Sequence, residues 1–236
     1  MRELRLGCVL VLACAVLAAS AHPAHAQQTL NLSWGYSMMR TGRVPTDILL
    51  IEHHDLAFKF SDFNVPVIGV EWLVPFGNRL EAGLGASLSR DTVPTVHVGV
   101  VNSDGSAIPR ELRLRQMPMA LTVRVLPLGQ SYSVQPYIGG GVAVINWRFS
   151  ESGDFAAATR RTIFRGEHYS ANGNATGPIL LAGMRAVTGD TFAFGIEARY
   201  QRARGHFGPV FARQLDPDLD LGGLTLLVTA GMRFGK

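Results

Sequence analysis

The chain has 236 residues, of which 47% are hydrophobic and 17% are charged, and its formal net charge is +4. The basic residues are scattered along the sequence, which argues against a nucleic-acid-binding surface. Both cysteines, Cys8 and Cys14, lie near the N-terminus, so the remainder of the chain is excluded from disulfide and thiol chemistry.

Residues 1–26 have the three parts of a secretory signal peptide. Arg2 and Arg5 form a positive start, residues 6–19 are an apolar run, and residues 24–26 (Ala-His-Ala) form a small-x-small cleavage site. An uncleaved membrane anchor is the alternative, although the apolar run is short for a membrane span. We therefore predict an exported protein whose single folded domain is residues 27–236.

Eight stretches of the mature chain alternate between two kinds of residue with a period of two, which predicts β-strands. In chain order they cover residues 28–40, 66–74, 79–90, 117–125, 132–149, 178–186, 191–204 and 224–234. One face of each stretch is apolar, and the other is mostly Gly, Ala, Ser and Thr with isolated charges. Small residues suit the crowded interior of a narrow barrel, whereas a soluble sandwich or a lipocalin would expose a polar face to water.

The connections between these stretches alternate between short and long. Short turn clusters occupy residues 75–78, 128–131 and 188–190, and long segments occupy residues 41–64, 91–111, 150–175 and 206–220. Part of the second long segment, residues 95–100, still alternates and precedes a hairpin turn signal at 102–105. Bacterial barrels place short turns in the periplasm and long loops outside. The pattern predicts an all-β, eight-stranded, antiparallel up-and-down transmembrane β-barrel.

Three stretches resemble the small outer-membrane β-barrel superfamily, which includes the OmpA transmembrane domain, OmpX-like proteins and opacity-type proteins. They are residues 134–141 (VQPYIGGG), 195–200 (GIEARY) and 229–234 (TAGMRF). The resemblance covers the whole mature chain. It implies a location in the cell outer membrane, with outer-membrane lipids and lipopolysaccharide as neighbours.

The last of these stretches is similar to the C-terminal signal that the barrel-insertion machinery reads in that superfamily. Its polar residue is Thr229, its glycine is Gly231, and its lipid-facing aromatic residue is Phe234. The stretch departs from the pattern because Gly235 and Lys236 follow the aromatic residue.

Seven charged residues fall on the faces that we assign to the barrel interior. Three are acidic and four are basic: Glu71, Glu81, Glu197, Arg124, Arg185, Arg199 and Arg233. Most lie near the turn end of their strands, and buried charges are costly unless they are paired. We predict a network of ion pairs that fills the lumen; the alternative is a gate or selective constriction in a small pore. An eight-stranded barrel leaves an interior only just wide enough for side chains.

One pair of residues raises the possibility of an enzyme. His168 and Ser170 resemble the His-x-Ser element of outer-membrane lipid A deacylases, in which serine attacks an ester and histidine is the base. That family has a glutamate about a dozen residues later, whereas residues 171–184 of this chain contain no acidic residue and Glu167 is the nearest candidate. We therefore predict a protein without enzymatic activity.

Three loop segments contain residue types found in binding sites. Residues 52–55 (Glu-His-His-Asp) and the acidic residues Asp216, Asp218 and Asp220 include possible cation ligands, but neither has the spacing of a zinc or calcium site. Arg160, Arg161 and Arg165 are candidates for ion pairs with lipopolysaccharide phosphates. We interpret all three as solvated loops, and no cofactor is implied.

These observations predict a monomeric outer-membrane barrel with a structural or surface-interaction role. Its partners would be outer-membrane lipids, lipopolysaccharide, the insertion machinery and an extracellular ligand bound through the long loops. A narrow pore for small solutes is the alternative, and a hydrolase that resembles lipid A deacylases is the third possibility.

Overall fold

The computed structural model describes residues 27–40, 49, 56–102, 104–156, 163–207 and 218–235. Eight strands form the barrel, and their bounds are β1 (Gln28–Met39), β2 (Val65–Phe76), β3 (Leu80–Val101), β4 (Ala107–Val125), β5 (Val134–Ala156), β6 (Ile163–Thr188), β7 (Phe192–Gln201) and β10 (Gly223–Phe234). Two short strands, β8 (Arg204–His206) and β9 (Asp218–Asp220), form a separate hairpin, and a 3-10 helix covers Phe60–Phe63.

The sheet is closed, with the strand order β1-β10-β7-β6-β5-β4-β3-β2. Every neighbouring pair is antiparallel, and the seam joins the first and last strands from Gln28↔Phe234 to Met39↔Gly223. The predicted eight-stranded up-and-down barrel is therefore confirmed. Among the described residues, no helix combines the length and hydropathy that crossing a bilayer requires.

The predicted long loop 150–175 is wrong, because strands continue through most of it. In the segment 91–111, the alternation of residues 95–100 is confirmed as strand, and most of the rest of that segment is strand as well. The pair β3–β4 extends to residues 101 and 107, and β5–β6 extends at least to residues 156 and 163. At the tip of the first extension, Gly105 has a φ of +82° and Ser106 donates to Asp104 Oδ1 from its backbone N (2.9 Å) and from Oγ (2.6 Å). These hydrogen bonds hold the pKa of the exposed Asp104 carboxyl below its usual value.

The barrel exterior carries a continuous apolar belt. Its members include Leu32, Trp34, Ile68, Trp72, Leu84, Met119, Ile138, Leu180, Phe194, Ile196 and Val228, all of them exposed. On β10 the belt runs from Leu224 to Phe234, roughly 34 Å along the strand and roughly 26 Å in height at a tilt of about 40°. That height matches the apolar band of about 25 Å on outer-membrane barrels.

The interior has two halves of different character. The half near the short turns holds buried charged and polar side chains such as Glu71, Arg124 and Arg185. The half near the long connections holds an apolar core that includes Leu112, Trp147 and Phe149. From the sequence, the inner face was predicted to be mostly small residues with isolated charges. This core was not predicted, because much of the chain that forms it was taken to be loops.

Candidate functional site

Four charged side chains form a ring of ion pairs across the lumen. Arg124 on β4 contacts Glu71 on β2, and its Nη2 lies 2.8 Å from Glu197 Oε2 on β7. Arg199, also on β7, contacts Glu197, and its Nη2 lies 2.7 Å from Glu71 Oε2. Each arginine therefore bridges both glutamates, and the two positive and two negative charges balance within the ring.

Neutral groups add further hydrogen bonds to this ring. Tyr137 donates its hydroxyl to Glu197 Oε2 at 2.9 Å, and Thr122 Oγ1 donates to Glu71 Oε1 at 3.2 Å. The Arg124 guanidinium lies over the Tyr137 ring at 4.7 Å from the centroid. A glycine supplies the space beside Glu71, since a Cβ at Gly83 would lie 2.7 Å from Glu71 Oε1.

A second ion pair lies closer to the short turns. Arg185 makes a two-pronged contact with the Glu81 carboxylate, with Nη1 at 3.0 Å from Oε2, and its Nε donates to Gln135 Oε1 at 2.8 Å. Gln135 in turn donates to the backbone carbonyls of Gln130 (2.6 Å) and Tyr132 (2.9 Å). Through Gln135, the Arg185–Glu81 ion pair is linked by hydrogen bonds to the turn between β4 and β5.

The structure thus brings six of the seven predicted luminal charges into ion pairs. Arg233 is half-buried at the turn end of β10, and none of the ion pairs between described residues includes it. Arg233 lies on the predicted inner face and close enough to Glu81 and Arg185 to interact with them electrostatically. Its place in the luminal network stays a prediction.

The apolar core fills the other half of the lumen. Its wall residues come from β3–β6, and other members come from the connection after β1 (Leu49, Leu56, Phe58 and Phe63) and from the segment around the β8–β9 hairpin (Ala203, Phe207, Leu219 and Leu221). The Phe207 ring packs against Trp147 at 5.2 Å and against Phe149 at 5.7 Å between centroids. We call these eighteen buried residues the plug.

A cavity of about 40 Å³ with a mixed polar and apolar lining borders both the plug, at Ala120 and Ile179, and the ion-pair ring, at Arg199. Its lining includes Ser37, Ser89, Gln116, Gln201 and Thr225. A volume of this size holds about two or three water molecules.

One further buried ion pair was not predicted from the sequence. Arg110 on β4 and Glu151 on β5 lie in the strand extensions, with Arg110 Nη1 at 2.9 Å from Glu151 Oε1 and both side chains buried. Both residues fell in segments predicted to be loops. The alternation of Ile108, Arg110, Leu112 and Leu114 on one face was the signal that would have revealed them.

The residues of the predicted insertion signal lie on the two faces of β10. Thr229 is buried and faces the lumen, and Gly231 faces it too, where an added Cβ would lie 2.2 Å from Asn31 Oδ1. Phe234 is 42% exposed on the outer face and pairs with Gln28 across the barrel seam. This is the placement that the resemblance implies, and the role of these residues stays a prediction.

The other candidates lie outside the ion-pair ring and the plug. His168 is exposed and Ser170 is half-buried on the extension of β6, with Ser152 and Ser150 as their partners on β5. No hydrogen bond between described residues joins His168 to Ser170 or to an acid. Asp218 pairs with His206, and Asp220 lies 3.8 Å from Arg40 Nε. Residues 52–55, Arg160, Arg161 and Asp216 lie outside the described residues, as do residues 1–26.

No family model matches this chain, and no curated protein matches it. Among solved structures, the outer membrane protein OprG from Pseudomonas aeruginosa has a TM-score of 0.54 at 13% identity, covering 90% of this chain and 98% of OprG. The N-terminal β-barrel domain of Pseudomonas aeruginosa OprF has a TM-score of 0.44 at 11% identity, covering 89% and 99%. The attachment invasion locus protein Ail of Yersinia pestis has a TM-score of 0.44 at 13% identity, also covering 89% and 99%. The likeness to OprG concerns the fold.

Proposed function

We propose that this chain, which has the eight-stranded fold of the small outer-membrane barrels, is an integral outer-membrane protein with a structural or surface-interaction role. The apolar belt supports the membrane location, because a contiguous exposed apolar surface of this extent is unfavourable in water. The resemblance to a signal peptide in residues 1–26 supports export.

The observation that carries the functional part is the filled lumen. An ion-pair ring closes the turn half, and the plug closes the other half. Opening the ring would leave buried charges unpaired, and an unpaired buried charge is costly: removing one partner of a buried pair costs about 3–5 kcal/mol. The predicted pore is therefore the weaker candidate for this chain.

The strand extensions support a role at the cell surface. On β5 the apolar outer face ends at Val144, and the strand continues to Ala156, which is about 40 Å along the strand. A hairpin of that length carries its tip well beyond the bilayer, where it can meet an extracellular partner.

Reconstitution into planar bilayers tests this proposal. We expect no stable single-channel conductance from the refolded chain under conditions in which a known porin conducts. Cell fractionation should place the protein in the outer membrane. Stable conductance events would move the assignment to the pore.

We also propose that the chain has no lipid A deacylase activity, since His168 has no acidic partner among the described residues and is exposed. Lipid A from expressing cells should keep its mass, and Ser170→Ala should leave the mass spectrum unchanged. Loss of one acyl chain that depends on Ser170 would reverse this proposal.

A further inference from the structure

Three arginines form a row across the outer face of neighbouring strands. Arg90 on β3 is the direct partner of Arg115 on β4, and Arg115 is the direct partner of Arg148 on β5. All three are exposed and share the outer face with the belt residues Leu88, Met119 and Val144. We call Arg90, Arg115 and Arg148 the arginine ladder.

The ladder is electrostatically unfavourable by itself. Direct cross-strand partners place their Cβ atoms about 5 Å apart, and like charges in that position destabilise a sheet. None of the ion pairs between described residues includes a ladder arginine. The nearby Glu111 is already bound to Arg113, whose Nη2 lies 2.5 Å from its Oε1. Three cations without an acidic partner among the described residues point to an anion supplied from outside the chain.

The position of the ladder identifies the source of that anion. Arg90 is two residues beyond Leu88, and Arg115 is two residues from Met117, so the ladder lies directly above the apolar belt on the side of the long connections. Two residues span about 7 Å along a strand, so the arginines lie about 7 Å beyond the last belt residues, at the level where lipid headgroups begin. Guanidinium groups at this depth match phosphate oxygens with two parallel hydrogen bonds each.

We propose that the arginine ladder binds the phosphate groups of lipid A, the lipopolysaccharide anchor, in the outer leaflet. The proposal rests on the proposed outer-membrane location, since lipid A is the phosphorylated lipid of that leaflet. Asn146, which follows Val144 on the outer face of β5 and donates to Asn174 Oδ1 at 3.1 Å, adds a polar group beside the ladder for the sugar backbone. Binding would replace a repulsive row of cations with a set of charge-assisted hydrogen bonds.

A titration of the refolded mature chain in detergent micelles tests this site. The probes are bisphosphorylated lipid A, the same lipid A with both phosphates removed, and phosphatidylglycerol. The test variant is Arg115→Gln/Arg148→Gln. The matched control is Lys59→Gln/Arg79→Gln, which removes the same charge from two exposed positions, one in the connection after β1 and one at a short turn.

We expect bisphosphorylated lipid A to bind the wild type and the control variant equally. At about fivefold per arginine near a membrane surface, the ladder variant, which lacks two arginines, should bind roughly 25-fold more weakly. Dephosphorylated lipid A should bind all three proteins equally weakly. Without lipid, the ladder variant should unfold at the same temperature as the wild type or higher, because it removes the like-charge contact.

Three results would overturn the proposal. Equal losses in the ladder and control variants would mean that only total charge matters. Binding of phosphatidylglycerol as tight as that of lipid A, with the same dependence on the ladder, would mean a site for any anionic lipid. No binding of lipid A to the wild type would remove the site. Because micelles contain no cell envelope, these outcomes are separate from a failed outer-membrane location, which fractionation would reveal.

Discussion

Replacing Glu197 with alanine should destabilise the barrel more than any exposed charge substitution. Glu197 binds three donors: Arg124 at 2.8 Å, Tyr137 at 2.9 Å and Arg199. Its removal leaves the Arg124 side chain, which is 1% exposed, with Glu71 alone and gives the ring a net positive charge. Breaking a buried pair in this way costs about 3–5 kcal/mol.

The relative size of the stability losses follows from how the four charges of the ring are paired. Arg199→Ala should cost less than Glu197→Ala, because the Arg199 side chain is 14% exposed and water reaches it. The double variant leaves Glu71 and Arg124 as a neutral pair. Its loss should therefore be smaller than the sum of the two single losses, by about 0.5–3 kcal/mol.

Equilibrium urea unfolding of the detergent-refolded protein measures these losses, and gel heat-modifiability checks that each variant folds. The control is Glu111→Ala, which breaks an ion pair whose side chains are 41% and 42% exposed and should cost no more than about 1 kcal/mol. Additive losses near zero for Glu197→Ala and Arg199→Ala would mean that these charges are solvated. That result would refute the filled lumen and favour a water-filled pore.

Other substitutions test the orientation, the insertion signal and the plug. A cysteine at Ser106 should react with an impermeant thiol reagent on intact cells, whereas a cysteine at Asn78 should react only after the outer membrane is opened; the reverse pattern would invert the topology. Phe234→Ala should lower the folded fraction in the outer membrane, and normal assembly would show that this aromatic residue is not the recognised one. Trp147→Ala should cost about 3–5 kcal/mol by urea unfolding, because the indole is 1% exposed within the plug; a loss under 1 kcal/mol would mean that the plug is loosely packed.

Period-two alternation was sufficient to predict the barrel and its two faces. Leu224, Leu226 and Val228 lie on the lipid face as the pattern indicates, and Glu71, Arg124 and Glu197 lie on the inner face. The alternation could not predict which charges form pairs, because partners such as Glu71 and Arg199 are on strands that are distant in the sequence. Their meeting depends on the stagger of the closed sheet.

Part of the β3–β4 extension, residues 95–100, was predicted from its alternation, whereas the rest of the strand extensions and the plug were missed for different physical reasons. Arg90 and Asp91 interrupt the apolar alternation, which suggested the end of a strand, yet a hairpin above the membrane has water on its outer face and tolerates charges there. The loop residues of the plug, such as Phe63 and Leu219, have no periodic spacing. Their burial depends on the volume inside the barrel that the wall residues leave unfilled, and a local sequence pattern cannot predict that volume.

The plug also bears on the order in which the barrel is assembled. Leu49 and Leu56 follow the first strand, whereas Leu219 and Leu221 precede the last, so the plug joins chain segments on both sides of the seam where β1 meets β10. We therefore expect these contacts to form after β1 and β10 pair, as a late step of folding that stabilises the closed barrel. Pulse-labelled hydrogen exchange during refolding would detect this order as late protection of Leu219 relative to the hairpin strands. A barrel that is still open between its first and last strands would accordingly keep a hydrated interior. Water would leave the half of the lumen near the long connections only when those two strands pair.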